Sequence, residues 1–473
     1  MRSFCILLFS AFCSLALIRC SLEQPPEGDA AEAASAPNII LIFADDLGYG
    51  DLACYGHPTI ETPNLDRLAR EGRRYTQFYV GAEICTPSRT ALLTGRYPVR
   101  SGMTSNQRSV LFPDSGGGLP ASEYTLAEAL QEAGYRTGCV GKWHLGHLPQ
   151  HLPNQHGFDY YFGIPYSNDM SPEQSDWEGA KKFPPTPLIE QDSIIESEPD
   201  QRQITRRYTA QAIRFIDNEL AQGTAEQPFF LYFPHTFPHV PLYASEQFEG
   251  SSKRGLYGDV VSELDWSVGQ LYQKIQDAGL AENTIIVFTS DNGPWLVMRE
   301  EGGSAGLLRE GKGSAWEGGV RVPAIAWWPG QITPAVPHQT PWTSMDLYAG
   351  LVSIGGGQLP SDRTLDGNPE IGRAQLIGTD STASREIFYY LNERLAAVRF
   401  GDYKAHFITY TPYRGQSHVL QDPPLLYNLS VDPSEQYDIA ADHPEIVADL
   451  QARARAHSAS IEPVINQLTI PLE

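Results

Sequence analysis

Hydrophobic and polar positions along this chain fall into blocks of two kinds. Asn38–Ala44 (NIILIFA) is a continuous apolar run rich in β-branched residues, the pattern of a strand buried on both faces of a largely parallel sheet. Segments 137–140, 228–233 and 284–289 read the same way. Between them, helical periodicity predicts helices over 63–71, 125–133, 204–220 and 257–278. Strands alternating with helices predict an α/β fold, a large sheet flanked by helices, with its chemistry at the strand ends. From Glu386 the pattern changes. Short apolar runs at 386–391, 396–400 and 403–408, with a Gly401-Asp402 turn, predict antiparallel strands, and 443–457 a closing helix. The chain therefore divides into a large domain over 37–385 and a smaller C-terminal α+β subdomain over 386–473.

The first residues follow neither pattern. Arg2 and the apolar run 4–18 read as a signal for export over 1–20, too short for a comfortable membrane span. Leu17-Ile18-Arg19-Cys20 faintly resembles a bacterial lipobox, but Arg19 stands where a small residue is normally required, so simple cleavage is favoured over a lipid anchor at Cys20. Residues 21–36, rich in Ala, Glu, Pro and Ser, read as a flexible tether. The mature protein is expected outside the cytoplasm, periplasmic or extracellular, with no transmembrane span. Composition narrows its partners: 34 Lys plus Arg against 57 Asp plus Glu give a net charge of -23, which argues against nucleic acid. Cys54, Cys85 and Cys139 are the cysteines left after the export signal. Cys54 and Cys139 are expected to be small buried residues, with a mutual disulfide left open.

Candidate chemistry gathers at the strand ends. Asp45-Asp46 follow the first strand and Asp291-Asn292 the fourth, and adjacent buried carboxylates repel unless something positive lies between them. Two oxygen-donor clusters on separate strands suit a hard cation, calcium before magnesium. Cys85-Thr86-Pro87-Ser88-Arg89 reads as a helix start, because proline in a first turn lacks an amide hydrogen that would be unpaired there anyway. Residue 85 then sits where free amides favour an anion, and Arg89 follows one turn later. Lys142, His144, His239 and Lys312 taken singly fit solvated loop positions. Converging on one anion, they share a purpose.

The stretch Cys85–Arg89 with Leu92-Leu93-Thr94-Gly95-Arg96 resembles the signature of the formylglycine-dependent sulfatases. Resemblance continues through residues 44–50, 141–146, 156–159, 238–241, 290–293, 311–313 and 317–323, and reaches Tyr403-Lys404-Ala405-His406-Phe407 and Asp432-Pro433 near the end. It implies an alkaline-phosphatase-like fold, and a Cys85 oxidised by a formylglycine-generating or sulfatase-maturing enzyme to an aldehyde whose hydrate is the nucleophile. Calcium would be held by Asp45, Asp46, Asp291, Asn292 and residue 85. By the same resemblance Arg89 and Lys142 steady the hydrate and the sulfate. Asp291 acts as base in the attack, and His144 collapses the covalent intermediate. His239 and Lys312 bind sulfate and help the leaving oxygen depart, and Ser167 contacts sulfate.

The implied activity is hydrolysis of a sulfate ester, on a sulfated sugar or an aryl sulfate. Two alternatives stay open: a phosphomonoester or phosphonate hydrolase of the same superfamily, and a silent binder of sulfated glycans should Cys85 stay unconverted. Loops 101–120, 166–199 and 294–310 are expected to shape the sugar site, with Trp177 and Trp295 as candidate stacking platforms. Asn428-Leu429-Ser430 is a formal glycosylation sequon.

Overall fold

The computed structural model describes residues 36–221, 227–334, 338–379 and 384–472. The export signal and nearly all of the tether lie outside these residues. Ten strands form one sheet: β1 (Asn38–Ala44), β2 (Arg73–Tyr79), β3 (Arg136–Val140), β4 (Tyr160–Gly163), β5 (Pro187–Glu190), β6 (Ser193–Ser197), β7 (Phe229–Pro234), β8 (Thr284–Ser290), β9 (Arg321–Trp327) and β10 (Trp342–Thr343). Their order is β10-β2-β9-β8-β1-β7-β3-β4-β5-β6. The central run β8-β1-β7-β3-β4 is parallel throughout, and it contains all four strands read from apolar runs. Strand β9 enters antiparallel between β8 and β2, and the β5-β6 hairpin extends the other edge.

The period-2 geometry of a strand explains why β1 is apolar at every position. Ile39, Leu41 and Phe43 enter one core, and Ile40, Ile42 and Ala44 enter the core on the opposite face. Helices supply the outer walls: α1 (Pro63–Glu71), α2 (Cys85–Thr94), α3 (Leu126–Glu132), α4 (Ile204–Ala221), α5 (Leu256–Asp277), α6 (Glu317–Val320), α7 (Ser344–Ile354) and α8 (Pro369–Leu376). Helices α4 and α5 pack with the β1 even-numbered face, while α3 and α7 pack with the odd-numbered one. The Cys54–Cys139 disulfide that the sequence left open is not formed. Cys54 is half-buried beside Asp66, Cys139 is buried within β3, and both thiols are free.

A four-stranded antiparallel sheet follows, β11 (Glu386–Leu391), β12 (Arg394–Phe400), β13 (Tyr403–Thr409) and β14 (Val419–Asn428), backed by α9 (Pro444–Ala459). Val398, Ala405 and Leu426 meet Val447, Leu450 and Ala454 of α9, whereas Ile387, Tyr389 and Ala397 join the core of the large sheet. A buried ionic network ties the two sheets together. Lys404 Nζ donates to Glu317 Oε1 (2.9 Å) and to the Ala315 carbonyl (2.8 Å), and lies 3.1 Å from Glu435 Oε1. Glu435 accepts from the Glu317 amide (2.7 Å) and pairs with His406 Nε2 (2.6 Å).

Burial alone would raise the Glu317 pKa, but Lys404, Arg321 and Arg399 hold it down at about 2, below its ordinary 4.5. A carboxylate depressed in the folded state stabilises the fold above its unfolded pKa, and that contribution fades as pH falls from about 4.5 towards 2. Lys404→Met is expected to cost about 3–5 kcal/mol near neutrality, because it leaves a buried charge unpaired. Denaturant titrations of wild type and variant should converge as pH drops through this window. A constant gap would show that the pair is not what the variant removes.

Candidate active site

The in-register parallel strands bring the sequence motifs to one edge. Ala44 pairs with Ser290 and Phe43 with Pro234, so the residues after β1, β8 and β7 emerge at the same level. Strand β3, on the far side of β7, contributes the turn Gly141–His144. Gly141 has φ 137°, and a Cβ there would lie 1.7 Å from the Pro234 carbonyl oxygen, so only glycine lets this turn cross the end of β7.

Helix α2 starts at Cys85, behind an extended Ile84 that offers no side-chain cap. Its first amides are therefore available to an anion. Every residue of α2 is buried. The Cys85 Sγ lies 3.6 Å from Asp45 Oδ1, and burial pushes the thiol pKa well above its ordinary value, so the unmodified side chain is no thiolate. One turn on, Arg89 donates through Nε (3.2 Å) and Nη2 (2.9 Å) to Asp291 Oδ2, and its Nη2 lies 3.3 Å from Asp45 Oδ2. Its Nη1 donates to the Lys142 carbonyl (2.9 Å). Lys142 Nζ contacts Asp45 Oδ2 and donates to Ser167 Oγ (3.1 Å). Lys312 Nζ donates to Asp46 Oδ2 (2.8 Å) and lies 4.4 Å from the centre of the Trp295 ring. Each deep cation is thus already matched by a carboxylate.

The carboxylates share that charge unequally. Burial raises each of their pKa values, but for Asp45 the cations Lys142, Arg89 and Lys312 outweigh burial and hold it well below the ordinary range. Asp46 and Asp291 stay raised, by burial first; the charge of Asp45 adds to this, and Lys312 and Arg89 respectively oppose it. A further cation would relieve that repulsion. Ligand atoms of Asp45, Asp46, Cys85 and His239 lie within 4.8 Å of one another, a group that can hold a metal. Asn292 Nδ2 donates to Asp46 Oδ1 (2.7 Å), while its Oδ1 is buried with no hydrogen-bond partner. An orphaned amide oxygen beside carboxylates fits a hard cation. Asp291 stands apart from the group: Oδ1 accepts from the Asp46 amide (3.0 Å) and Oδ2 from Arg89.

His144 Nε2 donates to the Leu111 carbonyl (3.0 Å), which leaves Nδ1 as the bare nitrogen, buried and unpartnered. Burial, with Lys142 and Arg89 adding to it, pushes its pKa well down and keeps the ring neutral. His239 is also held neutral, at about 3, by burial and then Lys312. Its Nε2 lies 3.7 Å from Asp46 Oδ2, and its ring nitrogens 3.5 Å from Ser167 Oγ.

Cys85, His144, Ser167, His239 and Lys312 face a cavity of about 540 Å³, with Arg89, Lys142 and the paired carboxylates buried beneath. Ser109 and Val110, Trp177, and Trp295 bring the segments 101–120, 166–199 and 294–310 to this cavity, and the second is not a loop throughout, because the β5-β6 hairpin lies within it. Three residues to which the sequence reading gave no individual role also matter. Thr86 Oγ1 donates to the His144 carbonyl (3.0 Å) and accepts from the Leu111 amide (3.2 Å), which ties the His144 backbone to the residue whose carbonyl meets its ring. Asp169 lines the cavity from the loop after β4. Tyr413, from the β13-β14 loop, packs on Trp295 with ring centres 5.4 Å apart.

Residues 37–357 match the family model for sulfatases, and residues 382–471 match that for the C-terminal region of aryl-sulfatase. The chain belongs to the sulfatase family. This sulfatase is 43% identical to arylsulfatase A of Homo sapiens over 457 residues, covering 88% of this chain and 87% of the other. It is 39% identical to N-acetylgalactosamine-6-sulfatase of Mus musculus over 483 residues, covering 93% and 90%. Among solved structures, Ps i-CgsB in complex with k-i-k-neocarrahexaose superposes with a TM-score of 0.78 at 30% identity, covering 93% and 95%. The sulfatase has the alkaline-phosphatase-like architecture, a large mixed sheet between helices, and is a sulfuric ester hydrolase.

Proposed function

We propose that this sulfatase removes O-sulfate from a sulfated carbohydrate, with aryl sulfates as further substrates, and that residue 85 acts as hydrated formylglycine made from Cys85 by a maturing enzyme. The observation that carries the reading is the placement of Cys85 at the uncapped start of α2, facing a cavity with His144, His239 and Lys312. Relatives named for N-acetylgalactosamine 6-sulfate and a structure holding a neocarrahexaose favour a sugar as the leaving group.

In the hydrated form residue 85 supplies two hydroxyls on one carbon, one to take the sulfuryl group and one whose proton must leave before sulfate can. The residues around it divide the remaining work. Lys142, Ser167, His239 and Lys312 bind the sulfate oxygens, and Arg89 steadies the hydrate from one turn along α2. Asp291 takes the proton of the attacking hydroxyl. Lys312 protonates the departing sugar oxygen, because His239 is held neutral. His144 takes the second proton on Nδ1, the nitrogen that the Leu111 carbonyl leaves bare. A calcium ion held by Asp45, Asp46, Asp291, Asn292 and residue 85 would add positive charge opposite the sulfuryl oxygens.

The domain limits 37–385 and 386–473, and export by the signal at 1–20 with cleavage favoured over lipidation of Cys20, belong to the same proposal. Among the described residues no helix is long and apolar enough to cross a membrane. The test is sulfate release from para-nitrophenyl sulfate and sulfated monosaccharides, alongside peptide mass spectrometry across residue 85. Active enzyme with an unmodified thiol would overturn the proposal.

Metal removal gives an independent measurement. A ligand bound only by the folded state stabilises it by about 4 kcal/mol at a thousandfold excess over its Kd. Exhaustive chelation is therefore expected to lower the Tm and stop turnover, and calcium alone to restore both. Tightly bound zinc, or full activity after verified metal loss, would count against calcium.

A further inference from the structure

The cavity walls carry the opposite charge to its floor. Among the described residues that line it, Lys312 is the one Lys or Arg, and it lies at the floor beside Cys85. Above it the wall holds three carboxylates, Asp169, Asp176 and Glu301. Asp176 and Glu301 are exposed at the mouth. Asp169 is half-buried, with Oδ1 shielded from solvent and without a hydrogen-bond partner. The rest of the wall is largely apolar, with aromatic faces in it: Trp177 packs against Phe112, and Trp295 against Tyr413.

These features ask different things of the two ends of a substrate. One sulfate is drawn to the floor, where Lys312, Lys142 and the α2 start converge. The group it leaves from meets ring faces and carboxylate oxygens. Sugar hydroxyls satisfy both, since they donate to carboxylates while the ring's C–H face stacks on aromatic side chains. A second sulfate or a carboxylate beside the scissile ester would instead be desolvated against Asp169, Asp176 and Glu301, with no Lys or Arg among the described lining residues except Lys312 at the floor to pair it.

We propose that the wall of Asp169, Asp176 and Glu301 makes this sulfatase selective for sulfate esters of otherwise uncharged sugars, excluding sugars with a second anionic group next to the ester. The inference rests on the sulfatase reading of the same cavity and names its substrate class. It is a short-range effect, distinct from the overall charge of -23, because physiological salt screens charges beyond about 8 Å.

The experiment measures two competitors of para-nitrophenyl sulfate hydrolysis by the full, matured enzyme: N-acetylgalactosamine 6-sulfate and its 4,6-disulfate. The disulfate is expected to have a Ki higher by about tenfold at physiological salt. In Asp169→Asn/Asp176→Asn/Glu301→Gln this ratio should fall to about threefold or less. Should the triple variant fail to fold, the surface variant Glu301→Gln is expected to lower the ratio in part. Equal Ki values in the wild type, or a ratio untouched by the substitutions, would overturn the selectivity. Absence of para-nitrophenyl sulfate turnover by wild-type enzyme would instead strike the sulfatase reading beneath it.

Discussion

Cys85→Ala is expected to abolish turnover, by on the order of 10⁴-fold or more, while costing little stability. The side chain is small, and its one polar contact is a weak approach of Sγ to Asp45 Oδ1 at 3.6 Å. Its polar neighbours on the cavity floor have other tasks. His144 and His239 are ring bases, Lys312 is engaged with Asp46, and Ser167 is tied to Lys142 and His239. Cys85→Ser separates the two stages of the reaction. An unconverted serine can attack sulfur once, but its sulfate ester has no second hydroxyl on the same carbon for His144 Nδ1 to deprotonate. A stoichiometric burst followed by a stalled, sulfated serine is the expected result, read by single-turnover kinetics and intact mass. Multiple turnovers by Cys85→Ala would end the mechanism, even with the fold unchanged.

The parts of the fold that were readable in the sequence are those whose burial leaves a one-dimensional trace. Strands β1, β3, β7 and β8 sit at the centre of the sheet, covered on both faces, and so they appear as unbroken apolar runs. Helix α1 begins at Pro63 and ends before Gly72, and both of its limits are visible. Strand β2 (RRYTQFY) hides because its polar residues find partners far away in the sequence: Arg73 Nη2 donates to the Gly378 carbonyl and Thr76 to the His338 carbonyl. Helix α7 is buried on almost every side, so no polar face alternates with an apolar one to mark its period. Helix α2 is similar, and only Pro87 and the motif around it marked its start.

The site divides along the same line. Asp45, Asp46, Asp291 and Asn292 were legible because paired oxygen donors at strand ends have a chemistry of their own. Thr86, Asp169 and Tyr413 have none until packing brings Thr86 under Leu111, Asp169 to the cavity and Tyr413 onto Trp295. Cys54 and Cys139 show the converse. Two cysteines left over after Cys85 invite pairing on arithmetic alone, yet one is in the interior of a central strand and the other beside α1.

Asp45→Ala carries the second large effect, and it is expected to strike both activity and stability. Asp45 is fully buried, and one of its oxygens meets both Lys142 Nζ and Arg89 Nη2. Its removal leaves Lys142 without its carboxylate and Arg89 with Asp291 alone, both cations being fully buried. Breaking a buried pair by deleting one partner costs about 3–5 kcal/mol, whereas deleting both charges together costs much less. Asp45→Asn/Lys142→Met is therefore expected to recover a large part of the stability lost by Asp45→Asn, measured by denaturant unfolding. It should recover none of the activity, because Asp45 belongs to the proposed metal site and Lys142 binds the sulfate. The coupling energy from this double-mutant cycle separates the two roles. A double variant no more stable than Asp45→Asn would show that the Asp45–Lys142 pair is not what holds this edge of the sheet together, and a double variant that turns over sulfate esters would remove both residues from the reaction.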